Sequence, residues 1–401
     1  MSTKRKLAIH GGKPVRENYL QYGRQWLDEK DIQAVADVMR GDYLTTGPTI
    51  ATFERETAKY VGARHAVAFA NGTAALHGAC FAAGIGEKDE VITSPLTFAA
   101  SANCILYQGG TPVFADINVQ TYNIEPHAVD ALITEKTKAI IPVDFSGLPA
   151  DIDAIKKIAQ KYNLIVIEDA AHALGATYKG KKVGSLADMT MFSFHPVKHI
   201  TTGEGGVITT NNEGYYHTLL QFRNHGIIKD ANKLINNHGL WYYEMQSLGY
   251  NYRITDIQAA LGISQLIKLS HFIKIRQDYA EYYNSAFRDI EEITCPAETL
   301  NLFSSRHLYI IRLNLEKLTA GRKEIFHALV KENIGVNVHY IPVYYHPYYQ
   351  KLGYSKGLCP NAEKVYEEII TLPLFPAMSR QDLDDVICAV KKVVSHYCKK
   401  R

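Results

Sequence analysis

Lys198 sits in SFHPVKHITTGEGG (193–206), between an apolar run and a glycine-rich turn. An interior lysine is costly unless its charge is paired, removed or used. Once it has lost its proton, a lysine amine attacks a carbonyl and forms a Schiff base. Upstream, LIVIEDAAHALG closes an apolar run on two carboxylates, Glu168 and Asp169, with His172 just beyond. A carboxylate placed there can hold a proton on a heterocyclic nitrogen. Asn71-Gly72-Thr73-Ala74 follows another apolar run, AVAFA. Small residues that open a helix present free amides and a positive dipole end, which suit a phosphate. Phe98, past VITSPLT, offers a ring face to a flat ligand. Each site also has a plain structural reading: turn geometry for NGT, core packing for Phe98, capping for Asp169, a surface loop for Lys198.

The four sites act together only if the fold gathers them. Short apolar runs recur at 66–70, 91–94, 112–117, 138–143, 164–169, 189–194 and 205–210. Helical patterns fill the gaps at Thr73 to Ala83, Phe98 to Tyr107 and Asp151 to Tyr162, the last with Asp151 as N-cap. Two earlier helices are expected, from Asp28 to Arg40 with Ile32, Val35, Val38 and Met39 on one face, and from Pro48 to near Gly62. Alternating strands and helices predict an α/β domain with a mainly parallel sheet flanked by helices. After about residue 260 comes a long helical pattern. Beyond it, short strands (HLYIIRLNL, GVNVHYIPV) mix with helices, which predicts a smaller C-terminal α+β domain. The expected division is 1–265, with an N-terminal arm 1–27, and 266–401.

Ligands of open α/β sheets bind at the carboxyl ends of the strands. The cradle, the ring, the carboxylate and the lysine follow four strands at that same edge. Pyridoxal 5'-phosphate needs all four at once. Its phosphate takes the helix N-terminus, its ring takes Phe98, its pyridine nitrogen takes Asp169 and its aldehyde takes Lys198.

The bulk properties exclude other classes. Forty-four basic and 41 acidic residues leave a formal charge of +3, which gives no basis for phosphate-driven nucleic-acid binding. No apolar stretch is long enough for a transmembrane helix, and the start MSTKRKLAIHGGKPV lacks the apolar core of a signal peptide. The six cysteines form no CxxC pair and no zinc-finger spacing, so no metal is expected and a reducing, cytoplasmic setting is.

The chain resembles the DegT/DnrJ/EryC1/StrS family of sugar aminotransferases over nearly its whole length. The resemblance runs through YLTTGP (43–48), NGTAAL (71–76), VITSPLTFAASAN (91–103), EDAAHALGA (168–176), SFHPVKHITTGEGG, GYNYRITDIQAALG (249–262), VNVHYIPVYYHPYY (336–349) and TLPLFPAMS (371–379). It implies an aspartate-aminotransferase-like fold and a homodimer with shared active sites. Lys198 matches the Schiff-base lysine that also shuttles a proton, and Asp169 the partner of the pyridine nitrogen. His172 matches a ring contact that is Gln in many members, and Phe98 a stacker that is Trp or His in some. Thr73, Ala74 and Ser193, with Gly72 beside them, match the phosphate site. Asn251 matches an asparagine that reaches the neighbouring subunit's phosphate.

Dehydratase relatives carry His where this chain keeps Lys198, which favours amino transfer. The expected substrates are a nucleotide-linked keto-deoxysugar and L-glutamate, with the cofactor cycling through pyridoxamine 5'-phosphate. QYGRQWLD, DYLTTGP and HYIPVYYHPYY look most like the branch that makes UDP-4-amino-4,6-dideoxy-N-acetyl-L-altrosamine for pseudaminic acid. On that match Tyr22, Tyr43, Leu44, Thr45, His339, Tyr340, Ile341 and Pro342 line the sugar-nucleotide pocket. A 3- or 4-amination of another UDP- or dTDP-sugar, a lyase on the same cofactor and a non-catalytic paralogue stay open as alternatives.

Overall fold

The computed structural model describes residues 6–236 and 238–399, so the first five residues of the expected N-terminal arm lie outside it. A seven-stranded sheet forms the centre. Its first five strands in chain order are β1 (His65–Phe69), β2 (Glu90–Thr93), β3 (Thr111–Phe114), β4 (Thr137–Ile141) and β5 (Ile165–Asp169). Met189–Ser193 and Gly206–Thr210 complete it. Across the sheet the order is β1, Gly206–Thr210, Met189–Ser193, β5, β4, β2, β3. Only Gly206–Thr210 runs antiparallel to its neighbours. The strands are almost entirely buried apolar runs, as a sheet covered on both faces requires.

Each expected run became a strand and each expected early helix a helix. α1 (Glu29–Arg40) starts at Asp28, which forms a capping box with Asp31. α2 (Pro48–Val61) has Gly47 at its N-cap and so no capping side chain. The buried carboxylate of Asp256 supplies the cap instead, accepting from the amides of Gly47, Thr49 and Ile50 at 2.7, 2.9 and 3.3 Å. α3 (Gly72–Ala82) and α4 (Ala100–Tyr107) lie over the sheet after β1 and β2. The helix Asp256–Phe287 runs on from the sheet to a second, three-stranded antiparallel sheet of Ile293–Thr294, Tyr309–Leu313 and Ile369–Leu372. Helices Arg322–Lys331 and Arg380–Tyr397 cover that sheet.

One expectation is corrected. GVNVHYIPV is not a strand. It meets Ile369–Leu372 only at the Asn337–Thr371 bridge. There the Val338 amide turns to the Asn337 side chain at 2.8 Å, and Pro342 has no N–H to continue a ladder. The segment leaves the sheet and crosses towards the strand ends. The apolar stripe of α1 is largely uncovered, with Ile32 and Met39 57% and 63% exposed. α1 docks through charge instead: Asp31 accepts from Ser264, Gln265 and Lys268 at 2.6–2.7 Å.

Among the described residues no helix is long and apolar enough to cross a membrane. All six cysteines are free thiols.

Candidate active site

A cleft of about 990 Å³ opens at the carboxyl edge of the large sheet, under the 337–341 segment. Gly72, Thr73, Ala74, Phe98, Asp169, His172, Ser193 and Lys198 all line it, as do Tyr22, His339, Tyr340 and Ile341. The topology explains the gathering. β1, β5 and Met189–Ser193 end at one edge: Asn71 to Ala74 follow β1 into the cleft, and Asp169 and Ser193 are the last residues of the other two.

At one end of the cleft lies the N-terminus of α3. Asn71 caps it by accepting from the Ala74 amide at 2.8 Å. The amides of Gly72 and Thr73 therefore stay open at the first helical turn, while that of Ala74 is already engaged. Ala74 keeps its place in the expected cradle, with its N–H bonded to the Asn71 side chain. Ser193 stands opposite, its Oγ 3.4 Å from where a Cβ on Gly72 would be. The close approach depends on Gly206, where a Cβ would come within 2.6 Å of the Asn71 carbonyl oxygen.

Asp169 forms the floor. Its neighbour Glu168 points to the other face and accepts from Thr190 Oγ1 at 2.8 Å, so the two carboxylates have separate surroundings. Ser101 Oγ donates to Asp169 Oδ2 at 2.5 Å and the Ala171 amide donates to Oδ1 at 3.1 Å. Burial raises the carboxyl pKa, while Ser101, the Ala171 amide and Lys198 work against that rise.

Lys198 rides on a loop tied to Phe194. The Phe194 carbonyl accepts from the Thr202 amide at 3.1 Å and from Thr201 Oγ1 at 3.0 Å. Burial pushes the lysine pKa down to about 8, and the Asp169 charge pulls it the other way. The amine therefore gives up its proton far more readily than a surface lysine. Its near polar neighbour is His307 Nε2 at 3.5 Å. His307 packs 4.4 Å from the His172 ring, and burial holds both imidazoles well below their usual pKa, hence neutral. His339, also pushed down to about 3 by burial, is fixed by Thr371 Oγ1 at 2.8 Å.

Five expected residues fall outside the cleft of this chain. Tyr43, Leu44 and Thr45 are surface residues where the chain pairs with the start of Asp256–Phe287, through a Thr45–Thr255 bridge. Asn251 is exposed and bridges to Asn224. Pro342 is buried behind the wall, with its carbonyl accepting from Tyr345.

Sequence reasoning missed Ser101, Thr97 and His307. Ser101 had a faint signal, a hydroxyl one helical turn after Phe98, and Thr97 Oγ1 lies 2.7 Å from Ser101 Oγ. His307 had none, because only tertiary packing brings it to Lys198.

An open helix end facing a serine hydroxyl, a carboxylate with two of its acceptor positions filled, and an amine of lowered pKa fit the phosphate, ring nitrogen and aldehyde of pyridoxal phosphate. The DegT/DnrJ/EryC1/StrS aminotransferase family profile matches residues 25–391. The chain is 44% identical to the spore coat polysaccharide biosynthesis protein SpsC of Bacillus subtilis, over 94% of this chain and 98% of that one. It is 38% identical to the UDP-4-amino-4,6-dideoxy-N-acetyl-beta-L-altrosamine transaminase of Campylobacter jejuni, over 94% and 100%. Helicobacter pylori PseC, an aminotransferase of pseudaminic acid biosynthesis, superposes with a TM-score of 0.89 at 33% identity, covering 95% of this chain and 100% of that one. A putative sugar aminotransferase of Streptococcus pneumoniae, 33–34% identical with TM-scores of 0.87–0.88 over 94% of this chain and 99% of its own, matches in both PLP and PMP forms. The chain belongs to the DegT/DnrJ/EryC1/StrS aminotransferase family, whose members are sugar aminotransferases that work with pyridoxal phosphate.

Proposed function

We propose that this protein transfers the amino group of L-glutamate to the four-keto position of a UDP-linked 4-keto-6-deoxy-N-acetylhexosamine, of the L-altrosamine type. The product is a 4-amino-4,6-dideoxy sugar for pseudaminic acid or a related surface glycan. The observation that carries the chemistry is Asp169 and Lys198 facing one cleft that ends at the open N-terminus of α3. The sugar assignment draws support from the likeness to the altrosamine transaminase and to PseC.

When bound, the cofactor supplies an aldehyde that takes up the amino group and a ring that accepts an electron pair from carbon. The chain does the rest. Thr73, Ser193 and the Gly72 and Thr73 amides grip the phosphate. Asp169 keeps a proton on the ring nitrogen. Phe98 and His172, which both line the cleft, would contact the ring. Lys198 Nζ takes a proton from one carbon and returns it to another, and its lowered pKa suits that exchange near neutral pH. Tyr22, His339, Tyr340 and Ile341 face the sugar. Ser193→Ala removes a hydrogen bond to a charged group, so cofactor affinity falls about tenfold or more, read by absorbance titration of cofactor-free protein.

We place the enzyme in the cytoplasm, where nucleotide sugars are made. A homodimer is part of the same reading: Ile32, Met39, Leu240 and Trp241 are uncovered, and Tyr43, Leu44, Thr45 and Asn251 are exposed outside this chain's own cleft. They would serve the second copy's site, and sedimentation at micromolar concentration should give twice the chain mass.

The deciding assay incubates protein, cofactor, keto sugar and glutamate and follows 2-oxoglutarate and the amino sugar by mass spectrometry and NMR. No amine from any nucleotide keto sugar ends the reading. A different sugar of the same class is the second reading, favoured by the higher identity to SpsC than to the altrosamine transaminase.

A further inference from the structure

After β4 the chain turns at Ser146, whose backbone lies in the left-handed region at φ 60°. That turn aims the Ser146 amide at His172 Nδ1, 3.3 Å away. A backbone amide only donates, so Nδ1 presents its lone pair. Burial, with help from Lys198, His339 and His199, keeps the imidazole neutral, which leaves its one proton on Nε2. Nε2 lies 3.1 Å from Tyr340 Oη and therefore donates to it.

The Tyr340 oxygen thus receives a hydrogen bond. Its own O–H has no other partner among the described residues, and Tyr340 lines the cleft. Burial raises the phenol pKa, so the proton stays on. The turn is itself pinned. Ser146 Oγ donates to the Leu308 carbonyl at 2.9 Å, and Ser305 Oγ donates to the His172 carbonyl at 3.0 Å. At Gly147, φ 95°, a Cβ would come within 2.9 Å of that same carbonyl.

We propose that this relay, from the Ser146 amide through His172, fixes Tyr340 as a hydrogen-bond donor to the carbonyl oxygen of the keto sugar. The target rests on the function proposed above, while the direction of the relay rests on the Ser146–His172–Tyr340 geometry and on the burial of both side chains. A ketone oxygen only accepts, so a donor locked in one direction suits it. A hydroxyl at the same carbon has no such requirement. His172 is a positioning residue here, acting through Tyr340. Glutamine at 172 keeps the relay, because its carbonyl accepts from Ser146 and its NH₂ donates to Tyr340. Glutamate at 172 only accepts, so Tyr340 would turn its proton away from the substrate.

The test has two arms. In ¹⁵N-histidine-labelled, cofactor-free protein, NMR should show His172 Nδ1 unprotonated and Nε2 protonated. A protonated Nδ1 overturns the relay. In the second arm, fully cofactor-loaded variants, checked by absorbance, are assayed with the keto sugar varied. Tyr340→Phe should lose about tenfold in kcat/KM. His172→Glu should fall as far, His172→Gln should lose clearly less than His172→Glu, and Tyr340→Phe/His172→Glu should be no worse than His172→Glu alone. If His172→Glu matches His172→Gln while wild type makes amino sugar, the relay is wrong and the function stands. If wild type makes no amino sugar, the function fails and the target assigned to Tyr340 fails with it.

Discussion

Lys198→Ala protein should make amino sugar about 10⁴-fold more slowly than wild type, with its fold intact. Among the described residues no other lysine lines the cleft. His307 Nε2 is 3.5 Å from Nζ, but burial keeps that imidazole neutral and a poor base. Removing the amine also relieves a desolvation cost. The native lysine pKa, about 8, lies below the ordinary value of 10.5 expected for the unfolded chain. Between those values the unfolded chain binds the extra proton, so this group makes cofactor-free wild type more stable as pH rises from about 8 to 10.5. Lys198→Ala should lose that part of the slope and should be no less stable than wild type at pH 7. Two measurements check this: product formation by mass spectrometry, and urea unfolding at several pH values. Borohydride reduction of loaded wild type should leave the cofactor on the peptide that holds residue 198. An unmodified peptide from fully loaded protein sinks the assignment.

How much of this was legible beforehand depended on whether the signal was local. LIVIED is a continuous apolar run that stops on two acids, and it folded as β5 with Asp169 at its tip. The same held for Lys198, because Pro196 and the glycines around 203–206 forced a tight loop between two strands. The misses have separate physical causes. His307 begins next to a strand of the small sheet and reaches Lys198 only because the two sheets meet at the cleft. Asn337 diverts the 335–343 segment with its own side chain, a choice that alternation of apolar residues does not reveal. Likeness assigns Tyr43, Leu44 and Thr45 to a pocket, but it does not say whether that pocket belongs to the same chain. The α1 stripe was read from period alone. Period shows that Ile32 and Met39 share a side, but not whether anything in the same chain covers it.

Asp169→Asn should cut amino transfer by about 10³-fold, the scale of losing one preorganised electrostatic partner of the reacting centre. The carboxylate is held for its charge. Ser101 donates to one oxygen and the Ala171 amide to the other, which leaves room for a further donor facing the cleft. Asparagine keeps the size and one acceptor but cannot hold a proton on the ring nitrogen against neutral water. Loss of the charge also changes Lys198, with a definite sign. Asp169 raises the lysine pKa against the larger effect of burial, so in cofactor-free Asp169→Asn that pKa should fall below about 8. The pH dependence of Lys198 acetylation, read by peptide mass, measures it. An unchanged or higher value shows that the two groups do not sense each other and removes the basis for pairing them. A separate test isolates the ring. A cofactor analogue methylated on the ring nitrogen carries a permanent positive charge and needs no carboxylate to keep it. In Asp169→Ala, where the shorter side chain leaves space for the methyl group, the analogue should restore part of the rate that pyridoxal phosphate cannot. If both cofactors are equally poor there, Asp169 acts by holding Ser101 and α4 in place, and its charge is incidental to the chemistry.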